Sequence, residues 1–70
     1  MKEVRATMAG TVIRLTVSVG DEVTEGQDAV ILESMKMEIP QTVEEGGRVK
    51  EMRVRIGDFV NEGDLLLVLE

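Results

Sequence analysis

The 70-residue chain has no cysteine, histidine, tryptophan or tyrosine, and only one proline and one phenylalanine. Without Cys and His there is no usual zinc ligand set, no thiol nucleophile, no imidazole base for a serine, no redox dithiol and no haem ligation. An enzyme loses most of its parts. Long apolar runs are absent too: the longest, Leu65 to Leu69, falls far short of a membrane span, and Met1-Lys2-Glu3-Val4 opens no apolar signal segment. Cations are few, 8 Lys plus Arg against 14 Asp plus Glu, and the resulting net charge of −6 repels nucleic acid and anionic lipid. The expectation is no nucleic acid, no membrane, and a protein partner with a basic surface. The cytoplasm is the default location, with which the absence of cysteine agrees.

What is present describes one small folded domain over residues 1–70, with 43% apolar and 31% charged side chains. A chain of this size buries only about 60% of the surface it exposes when unfolded. Its apolar positions are needed for stability, and a deep catalytic cleft is not expected.

The main organisational feature is an internal repeat. Residues 10–33 lie over residues 47–70 without a gap, an offset of 37, with ten of 24 pairs identical, among them Gly20 and Gly57, Asp21 and Asp58, and Gly26 and Gly63. Five of the remaining pairs exchange apolar for apolar, such as Leu15 for Met52 and Val19 for Ile56. Leu15, Val17 and Val19, like Met52, Val54 and Ile56, alternate with polar residues at the period of a half-buried strand. Gly20-Asp21 and Gly57-Asp58 then suit turns in which Gly supplies a positive φ and Asp bonds to nearby backbone. Val30 to Leu32 and Leu65 to Leu69 are apolar runs too short for helices. Two such halves, each unable to bury its own apolar face, predict an all-β flattened barrel or sandwich with a pseudo-two-fold axis.

The connector between the copies, residues 34–40, belongs to neither. The chain must reverse between Val30–Leu32 and Met37–Ile39, which puts Lys36 at or near a hairpin tip with its ammonium in water. An ammonium in water is a poor nucleophile, so acylation there requires a pre-activated donor and a dedicated ligase. Met35 and Met37 flank it where a turn normally carries Gly, Asn, Asp or Ser; their flexible thioethers suit contact with several surfaces, or else pack across the hairpin. Glu33 and Glu38 bracket the turn and are either solvated charges or guides for a basic ligase. Glu44-Glu45 reads as a solvated turn with no third metal ligand in view.

With Gly-Asp-x-Val-x-x-Gly at Gly20 to Gly26 and again at Gly57 to Gly63, Lys36 ten residues after Gly26, and Glu33-Ser34-Met35-Lys36-Met37 between, the sequence resembles the biotinyl and lipoyl carrier domains over nearly its whole length. The resemblance implies two four-stranded sheets, with the lysine hairpin in one and both termini in the other. It is similar to the biotinyl branch, whose hairpin reads Glu-Ala-Met-Lys-Met. Lys36 then matches the biotin-accepting lysine that a biotin protein ligase loads, and Met35 and Met37 its flanking residues, while Glu33 stays open between a solvated charge and a ligase guide. Ser34 departs toward the lipoyl pattern, so lipoate stays open as an alternative cofactor. What the resemblance implies is a non-catalytic carrier. Covalent biotin on Lys36 would shuttle carboxyl groups between the biotin carboxylase and carboxyltransferase components of a carboxylase. An unmodified adaptor barrel is the reading from a different class. The chain starts with Met and ends 34 residues after Lys36, which suits a small free-standing protein or a C-terminal domain.

Overall fold

A computed structural model describes residues 2–70. The described chain is built from strands, turns and bends: β1 (Lys2–Arg5), β2 (Gly10–Leu15), β3 (Glu22–Val23), β4 (Asp28–Ser34), β5 (Met37–Thr42), β6 (Gly47–Met52), β7 (Phe59–Val60) and β8 (Leu65–Leu69). They form two four-stranded antiparallel sheets, ordered β1-β8-β6-β3 and β5-β4-β2-β7. The two-sheet architecture and the placement of hairpin and termini in different sheets are as the repeat and the resemblance imply.

The offset of 37 governs the hydrogen bonding as well as the sequence. Val12 N–H donates to the Asp58 carbonyl at 2.8 Å, and its mate Val49 N–H to the Asp21 carbonyl at 2.9 Å. Gly57 N–H returns to the Val12 carbonyl at 2.7 Å, and Gly20 N–H to the Val49 carbonyl at 2.8 Å. Each half therefore clamps its glycine turn onto a strand of the other, and β3 and β7 are exchanged between the sheets. Neither half satisfies its own backbone, so the two must form together. The register shift between Val12 and Arg14 in β2 recurs between Val49 and Glu51 in β6. Outside the two aligned segments, the same offset relates β1 to β5: Lys2 faces Leu69 as Ile39 faces Leu32.

The turns behave as their residues predict. Gly20 and Gly57 have φ of 95° and 99°, a region closed to most side chains. The Asp21 carboxylate accepts from Ser18 N–H, and the Asp58 carboxylate from Arg55 N–H, both at 2.9 Å. One expectation fails. The alternation at 15–19 and 52–56 predicts continued strands, whereas β2 ends at Leu15 and β6 at Met52. Val17 and Val54 are buried, but Val19 and Ile56 are 61% and 65% exposed. The cause is the exchange: these residues carry the chain from one sheet toward a turn hydrogen-bonded to the other, and cannot extend the first.

Between the sheets lies a core drawn from both halves, including Val12, Val30 and Leu32 from one and Val49, Leu66 and Leu69 from the other. The apolar run of β4 buries Ala29 to Leu32, so the strand that leads to the hairpin is rooted in the core.

Candidate functional site

The tip of the β4–β5 hairpin is the segment that the pseudo-symmetry leaves over, and it closes as tightly as a hairpin can. Ser34 and Met37 form the last pair, leaving Met35 and Lys36 as a two-residue tip. Their φ values are 53° and 65°, the left-handed pair that a type I′ turn requires and that normally selects Asn-Gly. They are the only non-glycine residues with positive φ among the described residues. Left-handed backbone costs an ordinary side chain roughly 1–2 kcal/mol per residue, so the tip carries strain where the rest of the fold placed glycine. The strain is held in place by the ladder below it, from Ser34–Met37 down to Asp28–Thr42.

Side chains at the tip stand clear of the protein. Met35 is 91% exposed and Met37 63%, which removes the reading that they pack across the hairpin. Lys36 is exposed, and its ammonium makes no hydrogen bond or ion pair among the described residues. The other lysines differ: Lys2 donates to the Gly46 carbonyl, and Lys50 also has an interaction partner. Surface hollows of about 400 and 410 Å³ run along Arg53 and Leu65 and include no residue of the hairpin tip. The tip thus offers a free primary amine set apart from these two hollows, which fits a covalently attached group.

Below the tip, Glu33 on β4 and Glu38 on β5 are direct cross-strand partners, both exposed. Like charges in that arrangement are unfavourable. Glu33, Met35, Lys36 and Met37, singled out in the sequence, are therefore gathered on one hairpin. Glu44-Glu45 lies at the bend after β5, and no cluster of three or more metal-ligating side chains occurs among the described residues.

Two positions escaped the sequence reading. Pro40 lies within β5, tolerated because β5 is an edge strand with one side unpaired. Gln41, only 2% exposed, is the buried polar side chain of the fold. Its amide oxygen accepts from Thr7 N–H at 2.8 Å and from the Thr7 hydroxyl at 3.0 Å, tying the hairpin's outer strand to the loop after β1. No local pattern signals that pairing, since the partners are 34 residues apart.

The sequence profile of the biotin/lipoyl family, described as "Biotin-requiring enzyme", matches residues 2–69. The chain belongs to that family. It is 53% identical over 62 residues to the biotin/lipoyl attachment protein of Bacillus subtilis, covering 89% of this chain and 85% of that one. It is 44% identical over 66 residues to the mitochondrial propionyl-CoA carboxylase alpha chain of Homo sapiens, covering 94% of this chain but 9% of the larger protein. In three dimensions it matches a segment of the crystal structure of the Kluyveromyces lactis urea carboxylase with a TM-score of 0.93 and 29% identity, over 99% of this chain and 6% of that one. Members of the family are named as attachment and carrier proteins, and a non-catalytic role is the one that this biotin/lipoyl domain fills.

Proposed function

We propose that this domain carries biotin in amide linkage to Lys36 Nζ and presents it in turn to the biotin carboxylase and carboxyltransferase components of a biotin-dependent carboxylase. The carrying observation is the unpaired Lys36 ammonium on a strained two-residue tip, in a chain whose family is biotin-requiring. A biotin protein ligase supplies biotin as an activated acyl donor; Lys36 gives up a proton, its amine displaces the activating group, and one amide bond forms. When bound, biotin supplies the nitrogen that takes up and releases a carboxyl group. The protein's part is mechanical. The core-rooted hairpin fixes the origin of the arm, Met35 and Met37 offer adaptable apolar contact around it, Glu33 guides the ligase, and the four-carbon stem lets the cargo swing. Tethering replaces free diffusion with an effective concentration that reaches the mM range for short flexible links.

A lipoyl group on the same amine is the second reading. It is favoured by Ser34 and by a relative named for both attachments. Intact-mass and peptide mass spectrometry of the chain co-expressed with a biotin protein ligase separates them. A biotinyl increment on Lys36, lost in Lys36→Arg, is the expected result; an unmodified chain sinks the biotin reading. A lipoyl increment under a lipoyl ligase selects the alternative. A partner assay indifferent to Lys36→Arg would leave an adaptor.

A further inference from the structure

The two sheets are copies at an offset of 37, so an exposed position on an aligned strand has a mate that does the same structural work in the other sheet. Where mates differ in chemistry on the outer face, the fold is not what sets the difference. One row shows this clearly. On the sheet that holds the termini, Glu22 of β3 is the cross-strand partner of Arg48 of β6 and pairs with it at 3.5 Å, while Glu70 N–H donates to the Arg48 carbonyl at 2.9 Å. That row sets one guanidinium between two carboxylates, and Arg48 neutralises one of them, Glu22.

On the Lys36 sheet the mates are Phe59 of β7, Thr11 of β2 and Glu33 of β4, and β5 adds Glu38 opposite Glu33. The guanidinium has become a hydroxyl and the first carboxylate an aromatic ring. Their strand neighbours Val12, Leu32 and Val60 are buried, so Thr11, Glu33 and Phe59 point outward, and Glu38 opposite Glu33 is itself exposed. Phe59, the only aromatic residue in the chain, is 64% exposed. Glu33 and Glu38 face each other with no ion pair to either. Arg14, the one cation on the strands of this sheet, stands opposite Ile31 in the adjoining row and pairs with neither. Across four strands the row spans about 14 Å, and its acidic end lies one residue pair from Ser34–Met37 and the tip.

We propose that Phe59, Thr11, Glu33 and Glu38 form a docking strip for the enzyme that acylates Lys36, whose complementary surface carries Arg or Lys opposite the two glutamates and an apolar hollow for the Phe59 ring. The proposal rests on Lys36 being the attachment site. A ligase that encloses the Lys36 amine must lie against the hairpin, and this strip is the adjoining outer surface. The unpaired carboxylates call for cations that this chain does not provide. The exposed ring is a rigid anchor of the kind that dominates binding energy, at a position where the mate shows that the fold accepts glutamate.

The decisive variant is the double change Thr11→Arg with Phe59→Glu, which rebuilds the mate row on the Lys36 sheet. Because the same trio already exists on the other sheet, the variant is expected to fold, with an unfolding midpoint at or above that of the parent. Biotinylation of the full chain by purified biotin protein ligase, followed by intact mass, is expected to lose roughly tenfold or more in kcat/KM, mainly through KM. Phe59→Glu alone should lose several-fold and Phe59→Leu should recover most of it. Glu38→Gln should flatten the fall in rate with added NaCl. A double variant acylated at the parental rate overturns the strip while leaving Lys36 as the attachment site; a parent chain that gains no biotin overturns both. A defect confined to the later carboxyl-transfer steps overturns the assignment to the ligase.

Discussion

Gln41 stands where the pseudo-symmetry puts Val4 in the other half, and its amide oxygen takes two hydrogen bonds from Thr7 across the barrel. A buried polar side chain at an apolar mate position is retained only because it is paired. Gln41→Ala removes the bonds and leaves a small void, and is expected to cost about 2 kcal/mol. Urea unfolding should show a lower midpoint with an unchanged slope. Thr7→Val keeps the backbone donor and should lose less than half as much; equal losses would mean that the hydroxyl and not the backbone N–H holds the hairpin strand.

The left-handed tip gives a prediction of opposite sign. Asn tolerates positive φ better than Met, so Met35→Asn should relieve backbone strain at 53° and stabilise the fold by about 0.5–1 kcal/mol. For a domain of this size that corresponds to a rise in Tm of roughly 2–8 °C. Thermal unfolding followed by circular dichroism reads it directly. An unchanged or lower Tm would show that the Met35 backbone is unstrained, and that turn preference has not been given up for the side chain's own sake.

Much of this fold was legible in the chain because the repeat states it twice. The four turn glycines, the Asp caps and the hairpin address at Lys36 follow from local chemistry that needs no knowledge of distant partners. The strand ends do not. Val19 and Ile56 continue an apolar alternation, yet the chain there is leaving for the opposite sheet, a demand set by the long-range bonds of Gly20 to Val49 and Gly57 to Val12. Nothing local marks Gln41 as buried, because its partner Thr7 is remote in sequence, and nothing local marks Phe59 as exposed. Met35-Lys36 likewise gives no left-handed signal, and the two-residue closure is imposed by the register of Ser34 on Met37.

Gly10 and Gly20 are both glycine for different reasons, and their alanine variants should separate them. A Cβ on Gly10 would lie 2.9 Å from the Glu33 carbonyl oxygen, a backbone atom of the paired strand, while one on Gly20 would meet nothing within 4 Å and suffer only from φ of 95°. Gly20→Ala should therefore cost about 1 kcal/mol through conformation alone. Gly10→Ala must push β2 from β4 and should cost more, about 2–3 kcal/mol. Its mate Gly47, 2.9 Å from the Glu70 carbonyl oxygen, should respond alike. Chemical denaturation of the three variants checks the order, and a Gly20 loss exceeding that of Gly10 would reverse the explanation.

Val17 and Val19 test where strand β2 gives way to the crossover. Val17 is 5% exposed and belongs to the core, whereas Val19, two residues on, is 61% exposed beside the Gly20 turn. Truncation of Val17 to Ala should cost about 2 kcal/mol, from lost burial and the space left behind. Val19→Thr keeps the branched shape at an exposed site and should stay within about 0.5 kcal/mol of the parent. The mates predict the same split, Val54→Ala damaging and Ile56→Thr nearly silent. If Val19→Thr and Ile56→Thr were each as costly as the buried truncations, the alternation read from the sequence would have to be restored as strand, and the crossover between sheets would begin later than residue 16.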